Sequence, residues 1–105
     1  MQHGGFIYLM TNKNKTVLYT GVTSNLKARV WDHAHHRVKN SFTDKYNAGY
    51  LIYYEWFESI TAAINREKEI KKWNRTKKEL LIASKNPAWI FLNEEVYHEV
   101  YSLLY

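Results

Sequence analysis

The sequence predicts a small fold of the α/β (α+β) class, a sandwich whose three-stranded, mostly antiparallel sheet is flanked by helices in the order ββαβα(αα). Three observations lead to this prediction. The chain has 105 residues, which suits one domain with one modest core. Two β-rich runs near the N-terminus are joined by a short polar turn, and a third run lies near the middle. Polar capping residues precede several stretches with helical spacing.

The first two strands are predicted to form a β-hairpin. Gly5–Met10 is the first β-rich run, Thr11–Lys15 is a polar turn and Thr16–Gly21 is the second run. Because a short turn pairs neighbouring strands directly, we expect the rings of Tyr8 and Tyr19 to lie on one face of the hairpin.

The rest of the chain is predicted to alternate between helices and one further strand. Residues 37–48 are expected to form a polar loop. The other predicted elements are a helix Leu26–His36 capped within Thr23–Asn25, a strand Tyr50–Phe57, a helix from Ile60 to about Trp73 capped by Ser59, a short helix Lys77–Ala83 and a last helix Asn93–Leu104. Residues 1–105 are thus predicted to be one domain, with a core over about 5–93 and a helical tail over 94–105.

Composition excludes several classes of protein. The absence of cysteine excludes a disulfide framework and a thiolate zinc site, and no apolar run reaches the length of a membrane span. The opening residues lack the basic region of a signal peptide, so we expect a cytoplasmic protein with no membrane association.

The net charge is +5, with eight basic and three acidic residues in 60–85. This concentration favours a polyanionic partner, although a solvated helix face is the more usual role of a lysine-rich run and charge alone favours it.

A glutamate interrupts the apolar face of the helix that begins at Ile60. At about 100° per residue, Glu67 falls near the centre of the face that carries Ala63 and Ile64. A carboxylate in such a position is costly unless it is paired, solvated at the sheet edge or bound to a metal. The sequence leaves these alternatives open.

Two more polar residues share the apolar face of the preceding helix. Arg29 and His33 are one turn apart, on the same side as Leu26 and Val30. A guanidinium beside an imidazole is suited to holding a phosphate and transferring a proton. The alternative is a structural pair bonded to backbone carbonyls.

Taken together, these motifs resemble the GIY-YIG endonuclease family over about residues 5–93. Phe6-Ile7-Tyr8 stands where the family has GIY, and Tyr19-Thr20-Gly21 stands where it has YIG. The stretch from Gly21 through Asn25-Leu26 to Arg29 and His33 follows the pattern G-x-T-x-N-L-x-x-R-x-x-x-H, and Glu67 lies in an A-x-x-x-E-K context. Two positions depart from the motifs, Phe6 for glycine and Thr20 for isoleucine. We expect both side chains to point away from the face of Tyr8 and Tyr19.

The resemblance implies a metal-dependent DNA endonuclease that hydrolyses phosphodiester bonds and is specific for structure rather than sequence. Glu67 would be the protein ligand of Mg²⁺ or Mn²⁺, and Arg29 would stabilise the charge of the reacting phosphate. Tyr19 would act as the general base or relay to it, with Tyr8 beside it and His33 assisting. The candidate contacts to double-stranded or branched DNA are Lys45, Arg66, Lys71, Lys72 and Asn86.

Two other functions stay open at this point, a nucleic-acid-binding module without catalysis and a protein-interaction domain with a basic patch. No DNA-reading module is left over in the chain, so specificity is either for structure rather than sequence or is supplied by a homodimer or an accessory protein. Repair of DNA, recombination and mobile-element roles are all compatible with these residues.

Overall fold

The computed structural model describes residues 4–98, and its sheet has three antiparallel strands in the order β2-β1-β3. The elements are β1 (Gly5–Thr11), β2 (Leu18–Thr23), α1 (Leu26–Ala34), α2 (Phe42–Lys45), β3 (Tyr50–Phe57), α3 (Ile60–Lys71), α4 (Arg75–Lys85) and α5 (Asn93–Tyr97). The predicted fold class and order are confirmed. The short helix α2 is an addition, because residues 37–48 were expected to be a loop.

The hairpin turn is longer than the sequence suggested. Oδ1 of Asn12 accepts hydrogen bonds from the backbone N–H groups of Thr16, at 2.7 Å, and Val17, at 3.3 Å. These bonds hold both residues in the loop, so β2 begins at Leu18 rather than at Thr16.

Side-chain caps define where three helices begin. Asn25, Ser59 and Asn74 each accept a hydrogen bond from the backbone N–H three residues later, at 3.1, 3.3 and 2.9 Å. The cap at Asn74 starts α4 two residues before the predicted Lys77. Helix α5 begins at Asn93 as predicted, and the predicted continuation to Leu104 lies outside the described residues.

The sheet has one packed layer on each face because strand side chains alternate. One face packs against α1 through Phe6, Tyr8, Met10, Leu26 and Val30. The other packs against α3 and α4 through Ile7, Leu9, Ala63, Ile70 and Ile82. The two layers place α1 and α3 on opposite sides of β1.

The two residues that depart from the motifs were both expected to point away from the face of Tyr8 and Tyr19. This expectation was wrong for Phe6 and is confirmed for Thr20. Residues two apart on a strand share a face, so Phe6 lies on the same face as Tyr8, with its ring 5.0 Å from that of Trp56. Thr20 is paired with Leu9 and therefore faces the α3 layer.

None of the helices found between residues 4 and 98 has the length and apolar run needed to span a bilayer.

Candidate active site

Tyr8 and Tyr19 are brought together by the hairpin, as the sequence predicted. Tyr8 is in the central strand and opposite Gly21, and the rings of Tyr8 and Tyr19 are 6.2 Å apart. A methyl group on Gly21 would overlap the phenol of Tyr8. The glycine therefore leaves the space that the Tyr8 ring fills.

Helix α1 adds an imidazole and a guanidinium to the two tyrosines. Leu26, Val30 and His33 form its buried stripe, which places His33 against the sheet. Nε2 of His33 is 2.9 Å from the Tyr8 hydroxyl, and the His33 ring is 5.5 Å from that of Tyr19. Arg29, one turn earlier, is close enough to the Tyr8 hydroxyl to interact with it. Four of the five predicted catalytic side chains therefore form one cluster.

The hydrogen bonds around His33 are all satisfied when its proton is on Nδ1. The hydroxyl of Ser41 donates to the carbonyl of Val38 at 2.5 Å, so its oxygen is left to accept from the Thr43 hydroxyl, 3.0 Å away. The Thr43 oxygen then accepts from Nδ1 of His33 at 2.6 Å. Nε2 therefore carries the lone pair and accepts the hydroxyl proton of Tyr8.

Burial keeps both members of the Tyr8–His33 pair neutral at pH 7. Desolvation, followed by repulsion from Arg29, lowers the pKa of His33 from 6.5 to about 4. Desolvation and the neighbouring Tyr19 raise the pKa of Tyr8 well above its usual value, with Arg29 opposing them. A neutral imidazole with a free lone pair can accept a proton, whereas an imidazolium cannot.

Glu67 is on α3, which packs on the opposite face of the sheet from Tyr8, and it is not part of the tyrosine cluster. Helix α3 packs on the face opposite Tyr8, and Arg66 on that helix reaches Glu55 of β3, with Nε 3.1 Å from Oε1. Since successive residues are about 100° apart, Glu67 lies on the other side of the buried Ala63–Ile70 stripe, toward the edge strand β2. The side chain of Glu67 is 13% exposed, and its Oε2 pairs with Nζ of Lys71 at 3.1 Å.

The side chains present suit a metal ion that is held by a single carboxylate, and not a metal centre with several protein ligands. No cluster of three or more His, Asp or Glu side chains suited to a metal is found among residues 4–98. Mg²⁺ is commonly held by one or two carboxylates while waters and substrate phosphates complete its octahedron. The Glu67 carboxylate, whose ion-pair partner among residues 4–98 is the exposed Lys71, can fill that role.

The predicted nucleic-acid contacts differ in how free their polar groups are. Lys45 and Lys72 are exposed. The guanidinium of Arg66 is already held by Glu55 and Glu69. Asn86 is buried, donates to the carbonyls of Ile52 and Ile90, each at 2.9 Å, and accepts from the Ile90 N–H at 3.0 Å. Its amide therefore ties the end of α4 to β3 and has no free group for DNA.

Sequence reasoning missed the contribution of α2. This helix supplies Thr43, which holds His33, and Phe42, whose ring is 5.9 Å from that of Tyr19. The signal was present, because Ser41 and Asp44 have the spacing of a capping box and Ser41 accepts from the Asp44 N–H at 3.2 Å.

A cleft of about 390 Å³ lies along the outer edge of β3, away from the tyrosine cluster. Both acidic side chains in this cleft already have hydrogen-bond partners. Glu55 accepts from Tyr53 and Arg66, and Glu95 accepts from Tyr54. We therefore place the candidate site at the tyrosine cluster and not in this cleft.

The chain is similar to several known proteins. A UPF0213 protein of Clostridium perfringens is 35% identical over 102 residues, covering 93% of this chain and 98% of that protein. One of Natronomonas pharaonis is 38% identical over 82 residues, covering 74% and 89%. The solution NMR structure of a UPF0213 protein from Bacillus halodurans superposes with a TM-score of 0.53 at 27% identity, covering 82% of this chain and 89% of that one. The family model of the GIY-YIG catalytic domain matches residues 4–80, and the chain therefore belongs to the GIY-YIG nuclease family.

Proposed function

We propose that this protein is a divalent-metal-dependent endonuclease that hydrolyses phosphodiester bonds of DNA and selects its substrate by structure rather than by sequence. The observation that carries the proposal is the cluster of Tyr8, Tyr19, Arg29 and His33, in which a cationic guanidinium meets two phenols and a neutral imidazole. These groups are suited to binding an anion and accepting a proton from water at the same place.

The two tyrosines differ in their access to water. Tyr19 is half-buried, whereas Tyr8 is 1% exposed. The attacking water would therefore give its proton to the Tyr19 oxygen while the Tyr19 hydroxyl passes its own proton to the Tyr8 oxygen. The Tyr8 hydroxyl, which donates to Nε2 of His33, can pass a proton to that imidazole.

Arg29 and Glu67 would act on the charge of the phosphate. The planar guanidinium of Arg29 can donate two parallel hydrogen bonds to phosphate oxygens, and this pairing strengthens as negative charge builds up. Glu67 would hold Mg²⁺ or Mn²⁺ at the β2 edge. The ion, when bound, neutralises charge on the scissile phosphate and the leaving oxygen.

DNA binding would rest on exposed basic side chains. Lys45 lies on α2 beside the cluster, and Lys71 and Lys72 lie at the end of α3. With a net charge of +5, the chain gains affinity for phosphates through release of counterions. A cytoplasmic location, a role in DNA repair and targeting by a homodimer or accessory protein belong to the same proposal.

The test is cleavage of supercoiled plasmid and of branched oligonucleotides with Mg²⁺ or Mn²⁺, compared with chelator alone. We expect Glu67→Gln and Arg29→Ala to lose about 100-fold or more of the wild-type rate. Glu79→Gln is the matched control, because Glu79 is an exposed carboxylate on α4 that pairs with Arg75 at 3.0 Å, and it should keep full activity. Circular dichroism and the unfolding midpoint establish that each variant is folded.

The proposal fails if both Glu67→Gln and Arg29→Ala retain wild-type cleavage. If the protein binds DNA in a salt-dependent way but cleaves no substrate with any metal tested, it is a nucleic-acid-binding module without catalysis.

A further inference from the structure

We propose that the exposed rings of Phe42 and Tyr46 form a stacking platform for an unpaired nucleobase next to the scissile phosphate. The favoured substrate would then be DNA with an unpaired nucleotide at the cut. This inference rests on the proposed function, because the platform is defined by its position beside the candidate active site. We call these two side chains the Phe42–Tyr46 platform.

Both rings of the platform are open to solvent. Phe42 is 39% exposed and Tyr46 45% exposed, and their centroids are 4.7 Å apart. Nucleobases stack on such rings without regard to sequence because every base has a π-face. The platform therefore suits recognition by structure rather than by sequence.

The platform is continuous with the candidate active site. The ring of Phe42 stacks on that of Tyr19 at 5.9 Å with an interplanar angle of 25°, and Tyr19 in turn is 6.2 Å from Tyr8. A base resting on Phe42 or Tyr46 would thus belong to a nucleotide close to the phosphate held by the tyrosine cluster.

The platform is also fixed in place by the same contacts that hold His33. Thr43, between the two rings in the chain, is buried and bonded to Nδ1 of His33 at 2.6 Å. Ser41 caps the first turn of α2. A rigid aromatic surface loses little conformational freedom when a base binds to it.

A cation completes the surface. Nζ of Lys45 lies 5.8 Å from the centre of the Tyr46 ring, where it can also reach a phosphate of the stacked nucleotide. Aromatic rings interleaved with basic side chains are typical of single-strand binding surfaces.

Other exposed apolar side chains do not offer the same combination. Trp31 is stacked on His35 at 3.8 Å and contacts Tyr97, so one of its faces is already covered. Leu80 and Ile90 are exposed but aliphatic.

Base pairing decides which DNA can use the platform. Within a duplex, both faces of each base are covered by its neighbours, so stacking on Phe42 requires the base to leave the helix first. An unpaired base in a single strand, gap or branch reaches the platform without that step.

The test measures stacking without cleavage. Oligonucleotides carrying 2-aminopurine at successive positions are titrated with the full-length protein in chelator, as single strands and as duplexes. We expect stacking to quench the emission at one position of the single strand. Phe42→Ala and Tyr46→Ala should abolish this quenching and weaken single-strand binding about tenfold, while changing duplex binding less than about twofold. Phe42→Trp, which keeps an aromatic ring, should retain both the quenching and the single-strand affinity. Leu80→Ala is the matched control, because it removes another exposed apolar side chain and should change neither.

A second arm with Mg²⁺ separates this inference from the proposed function. The ratio of single-strand to duplex cleavage should fall in Phe42→Ala. If the wild type cleaves and the variant keeps the same ratio and the same single-strand affinity, the inference is overturned while the nuclease assignment stands. If the wild type shows platform-dependent quenching but never cleaves, the platform stands and the nuclease assignment fails.

Discussion

The hydroxyl of Tyr8 donates to Nε2 of His33 across 2.9 Å, and this buried bond joins the central strand to α1. In this direction the bond requires a neutral imidazole, since Nε2 of an imidazolium carries a proton and would have to donate to the Tyr8 oxygen instead, with its charge buried. The bond therefore connects the stability of the fold to the protonation of one histidine.

Stability should fall when the pH drops below about 6.5. In the folded state the pKa of His33 is lowered to about 4, so the unfolded chain takes up a proton first as the pH falls. The stabilisation is complete above about pH 6.5 and is lost on the way to about pH 4, a total of roughly 3 kcal/mol. Urea unfolding between about pH 7 and pH 5 measures the first part of this loss, about 2 kcal/mol, in a range above the titration of most carboxylates.

The control for this pH dependence is His33→Asn. The groups that act on His33 are Tyr8, Thr43, Arg29 and Asp32, and the variant leaves them in place. We expect the variant to be less stable at neutral pH but nearly independent of pH between about 7 and 5. An unchanged slope in the variant would assign the titration to another group.

Gly21→Ala should damage both stability and the candidate site. Because the added methyl group would overlap the phenol of Tyr8, the ring must move away from His33. We expect a loss of about 1–3 kcal/mol in the free energy of unfolding and a loss of cleavage. A double-mutant cycle with Tyr8→Leu gives the control, since the cost of the methyl group should shrink when the ring is absent. Full additivity would show that Tyr8 is not what the methyl group displaces.

Much of the tyrosine cluster could be predicted from the sequence because its geometry is local. A short turn fixes the pairing of β1 with β2, and a spacing of four residues fixes Arg29 and His33 on one helix face. The face of the sheet on which Glu67 lies could not be predicted in the same way. It depends on which face of the sheet the chain crosses between β3 and α3, and the spacing of residues in α3 carries no information about that crossing.

The role of Thr43 was also beyond the sequence. A four-residue helix is too short for a periodic pattern, and the bond from Thr43 to His33 joins residues in different elements. Asn86 shows the same difficulty, because a polar residue near a predicted helix end does not reveal that its partners are backbone groups of Ile52 and Ile90. Phe6 was different, since the period of two along β1 already placed it on the face of Tyr8.

Thr20→Val should stabilise the protein. Thr20 is 4% exposed, and its hydroxyl has no hydrogen-bond partner among residues 4–98. An unsatisfied buried hydroxyl is costly, so an apolar side chain of similar shape should raise the free energy of unfolding by about 1 kcal/mol. Thr20→Ser, which keeps the hydroxyl and removes the methyl group, should have the opposite effect. Destabilisation by valine would mean that a buried water satisfies the hydroxyl.

Arg66→Ala should cost stability more than DNA affinity. Burial alone would raise the pKa of the Glu55 carboxyl, but hydrogen bonds from Arg66 and Tyr53 outweigh it and hold that pKa below its usual value. Removing Arg66 leaves a mostly buried carboxylate without its cation, at a cost of about 2 kcal/mol at pH 7. Since the folded pKa of Glu55 is the lower one, the difference from wild type should shrink as the pH falls below about 4.5.

Lys72→Ala is the matched comparison for DNA affinity, because Lys72 is exposed while the charge of Arg66 is already balanced by Glu55 and Glu69. Each phosphate contact that is lost reduces the slope of log affinity against log salt by about 1. We therefore expect Lys72→Ala to reduce that slope and Arg66→Ala to leave it unchanged. A reduced slope in folded Arg66→Ala would return Arg66 to the DNA contacts that the sequence suggested.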